Sequence, residues 1–145
     1  MIITVNTIEE LAGVTEVLMQ HIQEGYRIIL LSGDLGAGKT TLVKVLCDKL
    51  WVTEPVSSPT FSLINEYASP MQGTIYHMDL YRLQKPDDLV QIGFEEYLDS
   101  GHLCLIEWPD VAEGYYTMAY ISVKIEVVNH NNRIFNITTH DAVDA

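Results

Sequence analysis

A chain of 145 residues with 48% apolar composition can bury a core of its own, and one domain spanning 1–145 is the economical expectation. Twenty acidic residues against eight basic ones give a net charge of −12, which repels a long polyphosphate backbone and excludes a nucleic-acid binder that works alone. No apolar run approaches the ~20 residues of a membrane span, and Met1–Asn6 lacks the basic and apolar regions of a secretory signal, so a cytoplasmic location without membrane contact is expected.

Ile2–Val5 reads as a short strand. Thr7 and Glu10 have capping-box spacing, and Ile8, Leu11, Val14, Leu18 and Ile22 follow at helical intervals up to a stop at Gly25. Arg27–Ser32 is an apolar run too short for a helix and typical of a buried parallel strand. A glycine-rich turn follows, then a helix from Lys39 to Leu50. Ser57–Thr60 marks a loop, Phe61–Tyr67 a strand, Ser69–Gly73 a turn, and Thr74–Met78 a strand ending at Asp79. Short helices are expected from Pro86 towards Ile92 and over Phe94–Leu98, and Leu103–Ile106 is a buried strand running into Glu107. Ala119–Val128 and Arg133–Thr138 flank Asn129–Asn132 as a hairpin. The alternation predicts an α/β fold of the P-loop NTPase type, a mostly parallel sheet flanked by helices with a C-terminal β-hairpin. Cys47 and Cys104 are far apart in apolar surroundings and read as buried structural thiols.

The turn carries the chemistry. Gly33-Asp34-Leu35-Gly36-Ala37-Gly38-Lys39-Thr40 satisfies Gly-x4-Gly-Lys-Ser/Thr, preceded by a strand and followed by a helix as a phosphate loop requires. Gly36, Ala37 and Gly38 let successive N–H groups converge on phosphate oxygens at the positive end of the helix. Lys39 can bridge the β- and γ-phosphates, the Thr40 hydroxyl can ligate Mg2+, and Thr41 can meet the α-phosphate. A metal-linked site also needs an acid at the end of a neighbouring strand, and both Asp79 and Glu107 qualify, the pattern alone leaving their roles interchangeable. No guanine-reading Asn/Thr-Lys-x-Asp occurs, so adenine, hence ATP, is the default.

Around the loop, His77 reads either as a water-positioning residue or as a hydrogen-bonded histidine at a strand edge. Arg82 reads as a transition-state or salt-bridge residue or a solvated charge, and Trp108 as a stacking or a packing residue. A small-molecule kinase could use the same loop. Its usual arginine clamps are scarce, however, because only Arg27, Arg82 and Arg133 exist. A nucleotide sensor without hydrolysis is the third reading, and two strand-end acids weigh against it.

Five segments in order, the phosphate loop, Ser58-Pro59-Thr60-Phe61, Asn65-Glu66-Tyr67, His77–Leu83 and Ile106-Glu107-Trp108-Pro109, resemble the TsaE family of small bacterial ATPases serving tRNA threonylcarbamoyladenosine synthesis. The resemblance implies ATP and Mg2+ as ligands. It also implies action with two protein partners, one bearing the threonylcarbamoyl-transferase site, and tRNA held only through them. It assigns Thr40 and Glu107 to the metal, Asp79 to the attacking water, and Ser58 and Thr60 to a switch-like loop sensing the γ-phosphate. The chain departs from the family pattern at Glu10-Leu11, in Val111–Thr117 and at Asn132-Arg133, so the hairpin is expected to be scaffold with at most a weak nucleotide role.

Overall fold

A computed structural model describes residues 1–143. Strands β1 (Ile2–Val5), β2 (Ile28–Ser32), β3 (Ile64–Ser69), β4 (Gly73–Asp79), β5 (Leu103–Glu107), β6 (Tyr120–Val127) and β7 (Arg133–His140) form one sheet in the order β1-β7-β6-β2-β5-β4-β3. The four central strands β6, β2, β5 and β4 are mutually parallel. Hairpin partners β3 and β7 run against them, and β1 pairs antiparallel with β7 and so returns to the central direction. This is the mixed, mostly parallel α/β sheet expected of a P-loop NTPase-like chain.

The apolar run of β2 is explained by its position. Ile29 and Leu31 point to one face of the sheet and Ile28 and Leu30 to the other, and both faces are covered. Helices α1 (Leu11–Gln23) and α2 (Lys39–Lys49) cover the first face, burying Val14, Leu18 and Ile22 against Leu42, Val43 and Leu46. Helices α3 (Pro86–Gln91) and α4 (Phe94–Leu98) cover the second through Leu89, Phe94 and Leu98. Cys47 and Cys104 are free and fully buried in opposite layers, and burial pushes each thiol up to about 12.

Three boundaries differ from expectation. Ile8–Glu10 is a 3-10 turn ahead of α1, and Ile8 stands 67% exposed instead of joining the apolar stripe. Here Glu10 receives both the Thr7 hydroxyl and the Asn6 N–H. Phe61 is not in a strand: Leu63 takes φ 69° and its N–H closes a turn onto the Pro59 carbonyl, so β3 starts at Ile64 and Phe61 is 87% exposed. Strand β7 runs two residues beyond Thr138 because it pairs along the whole of β6, from Val127↔Arg133 to Tyr120↔His140.

Candidate functional site

The phosphate loop joins the end of β2 to the start of α2. Gly36 and Gly38 take φ 79° and 110°, values that side-chain-bearing residues rarely adopt, and Gly38 opens the helix. Gly33 is needed for a second reason. A Cβ there would lie 2.9 Å from the Ile125 carbonyl oxygen and 3.1 Å from the Ala37 methyl.

Parallel pairing brings the two strand-end acids together. Asp79 of β4 and Glu107 of β5 are register partners, so their side chains emerge side by side on the α2 face. Glu107 is 3% exposed and Asp79 5%. The Thr40 hydroxyl lies 3.1 and 3.0 Å from the two Glu107 carboxylate oxygens and can donate to one at a time. Asp79 accepts the Tyr81 N–H at 2.9 Å and the Thr60 hydroxyl at 3.4 Å, and Thr60 in turn meets the Ser58 hydroxyl at 2.7 Å.

The Lys39 ammonium is held inside the loop by the Gly33 and Asp34 carbonyls, with its Nζ 4.0 Å from the centre of the Trp108 ring. Burial lowers its proton affinity below the ordinary lysine value, and Glu107, Asp79 and Asp34 partly oppose that shift. Trp108 takes φ 56° immediately after β5 and packs its ring 4.7 Å from Tyr81. Lys39, Thr40, Thr41, Ser58, Thr60, Asp79, Glu107 and Trp108 line one cavity of about 240 Å³ with Gly36 and Gly38. Ala37 lies outside that lining, with its side chain buried beneath the loop.

A second cavity of about 340 Å³ shares Gly36, Gly38 and Thr41 with the first and extends away from the acids. Its walls come from Asn6–Ile8 and Leu11 on one side and His130, Asn131, Arg133 and Phe135 on the other. Arg133 donates from Nε to the Ala37 carbonyl at 3.1 Å, and from Nη1 to the Asn129, His130 and Asn132 carbonyls at 3.2 to 3.4 Å. One guanidinium thus closes the hairpin turn and docks it on the phosphate loop.

Residues 5–135 match the family described as Threonylcarbamoyl adenosine biosynthesis protein TsaE. The chain belongs to the TsaE family. Similar relatives include the tRNA threonylcarbamoyladenosine biosynthesis protein TsaE of Rickettsia conorii, 38% identical over 94% of this chain and 77% of that protein. The protein of the same name from Haemophilus influenzae is 40% identical over 77% of this chain and 70% of its own. The crystal structure of Bacillus subtilis YdiB superposes with a TM-score of 0.75 at 28% identity, covering 99% of this chain and 86% of that one.

Lys39, Thr40, Asp79 and Glu107 meet in one cavity, with Ser58 and Thr60 beside them. Arg82 does not join them: its Nη2 donates to the Phe61 carbonyl at 2.6 Å and its guanidinium lies 5.7 Å from the Phe61 ring, so it braces the turn before β3. The hairpin is docked on the phosphate loop by Arg133, and its His130, Asn131, Arg133 and Phe135 wall the second cavity. His77 is a hydrogen-bonded strand histidine, the second of its sequence readings, but it sits fully buried on an internal strand and its partner is Glu107. Its register beside β5 was the one available signal, and register is invisible without the sheet order.

Proposed function

We propose that this chain is the Mg2+-dependent ATP-binding and hydrolysing subunit of an assembly that makes threonylcarbamoyladenosine in tRNA. The observation that carries the reading is the gathering of Lys39, Thr40, Asp79 and Glu107 around one cavity at the phosphate loop. Family membership and the role for which its relatives are named support the pathway. The second cavity, continuous with the loop through Thr41, has the size and mixed polarity to take a base and ribose, with the N-terminal segment and the hairpin as its walls.

The donor set fits magnesium held jointly by protein and nucleotide. Among the described residues no group of three or more His, Cys, Asp or Glu side chains could hold a metal unaided. A hydroxyl and a carboxylate 3.0 Å apart beside a phosphate loop offer the one or two hard oxygen ligands that Mg2+ takes alongside substrate phosphates and water. Bound there, Mg2+ would supply positive charge beside the nucleotide's phosphates. Thr40 and Glu107 would hold it, the former turning its hydroxyl proton away from the carboxylate. Lys39 would exchange two backbone carbonyls for phosphate oxygens and neutralise charge that develops as the γ-phosphoryl group leaves. Asp79 would orient the attacking water. Thr60 and Ser58, hydrogen-bonded to Asp79 and to each other, would register whether the γ-phosphate is present.

With a net charge of −12, the chain needs its protein partners, two by family resemblance, to hold the tRNA. A metabolite kinase fits less well, since Arg27, Arg82 and Arg133 all engage backbone carbonyls and none is free to clamp an acceptor. The deciding experiment is ATP turnover by the purified chain, alone and with the transferase-complex proteins and tRNA. Slow turnover that rises with partners and vanishes in Lys39→Ala is the expected result. Turnover indifferent to partners but dependent on a small acceptor would overturn the reading.

A further inference from the structure

Glu107 is the end of a buried hydrogen-bonded chain that starts in the loop before β3. Its Oε2 lies 2.6 Å from His77 Nε2, and the histidine is 0% exposed. The other ring nitrogen, Nδ1, lies 3.1 Å from the Tyr67 hydroxyl, which is itself buried. That hydroxyl sits 3.3 Å from the Ser57 N–H and 3.4 Å from the Asn65 amide, which also donates to the Ser57 carbonyl at 3.1 Å.

Strand geometry makes the alignment unavoidable. Asn65 and Tyr67 are two apart on β3, Asn65 is the register partner of His77, and β4 and β5 then carry His77 and Glu107 on the same face. Proton accounting closes as well. An ionised carboxylate only accepts, so Nε2 carries a hydrogen. With a neutral ring Nδ1 can accept the one Tyr67 hydroxyl proton, for which the Ser57 carbonyl at 3.2 Å is the other acceptor. The tyrosine oxygen accepts from the Ser57 N–H and the Asn65 amide. Every polar side-chain atom buried among the described residues has a partner, this chain included.

A cluster that only filled the core would be better replaced by apolar side chains, because buried polar groups give little net stability even when paired. This one ends on the acid that faces the phosphate cavity. Holding Oε2 from behind fixes the carboxylate plane beside the Thr40 hydroxyl, which lies within reach of both carboxylate oxygens. Such outer partners set the orientation of metal ligands.

We propose that His77 and Tyr67 are positioning residues for Glu107, tying its carboxylate to the Ser57 end of the Ser57–Thr60 loop so that metal binding and loop position are coupled. The inference rests on the ATP and Mg2+ reading above. Its test is calorimetric affinity for a non-hydrolysable ATP analogue in Mg2+ and in EDTA, for the wild-type chain, His77→Leu, His77→Gln and Tyr67→Phe. The wild type binds more tightly in Mg2+. In His77→Leu that gain shrinks by roughly 10–100-fold while the EDTA affinity holds. His77→Gln, whose amide can still donate to Glu107, keeps most of the gain, and Tyr67→Phe falls between. Should His77→Leu fail to fold, Tyr67→Phe against His77→Gln carries the comparison. An undiminished Mg2+ gain in His77→Leu or Tyr67→Phe, or equal losses in Mg2+ and EDTA, would overturn the inference alone. A wild-type chain indifferent to Mg2+ would overturn the ATP–Mg2+ reading and the inference with it.

Discussion

Gly33 carries the tightest backbone approach in the phosphate loop, and a single methyl group there has nowhere to go. The atom it would meet first is a main-chain oxygen of β6, 2.9 Å away, which cannot swing aside as a long side chain could. Gly33→Ala is therefore expected to cost about 1–3 kcal/mol of stability, the usual range for overpacking, and to displace the loop. Urea denaturation would measure the first effect and nucleotide affinity the second. An unchanged midpoint with wild-type affinity would show that β6 yields more easily than its pairing to β2 suggests. Lys39 presents the opposite case: its ammonium is buried at a cost in proton affinity, and the two loop carbonyls that hold it are the contacts a phosphate would displace.

At the scale of elements, the C-terminal hairpin is joined to the loop by one side chain. Arg133 spends Nε on Ala37 and Nη1 on three turn carbonyls, a fork that lysine cannot reproduce. Both Arg133→Ala and Arg133→Lys should weaken nucleotide binding by about 1.5 kcal/mol, roughly tenfold, through loss of the wall opposite Asn6–Ile8. Isothermal titration with ADP reads this directly, and equal affinities in wild type and variants would return the hairpin to a scaffold role. The hairpin was legible in the sequence from Asn129–Asn132 between two strand-like runs, and so were β2, β5 and both helices of the first layer. Local sequence could not say that Arg133 faces Ala37, 96 positions earlier in the chain. Nor could it show that Phe61 lies outside the strand, because the turn that ejects it depends on an unusual backbone angle at Leu63.

The whole molecule is a sheet with two cores, and each core buries one free thiol. Cys47 belongs to the α1–α2 layer and Cys104 to the α3–α4 layer, each with its ionisation moved up to about 12 by loss of solvent. In the unfolded chain both thiols ionise near 9, so between about pH 9 and 12 the unfolded state has lost protons that the folded state keeps. Stability is thus fully present below pH 9 and falls as pH rises through that window. Tyr67 and Tyr116, raised by burial, add to the same trend. Urea midpoints measured from pH 8 to 11 should decline, and the decline should lessen in Cys47→Ala compared with wild type at equal reference stability. Thiol reagents at pH 8 should label neither cysteine until denaturant is added. Labelling of the native chain would place one of the two cores in rapid exchange with solvent.

The motif that depends only on neighbours along the chain is legible without the fold. A phosphate loop is a local object, written in consecutive residues from Gly33 to Thr41, and the strand before it and the helix after it follow from periodicity over a few residues more. The strand-end acids were visible as acids, but their pairing was not. Only the sheet order, with β5 between β2 and β4, sets Glu107 against Thr40 on one side and Asp79 and His77 on the other. That order is fixed by burying both faces of β2 and β5 beneath helices, a property of the whole chain that no short segment encodes. The same global packing turned Asn65, Tyr67 and His77 from scattered polar residues into one chain ending at the cavity.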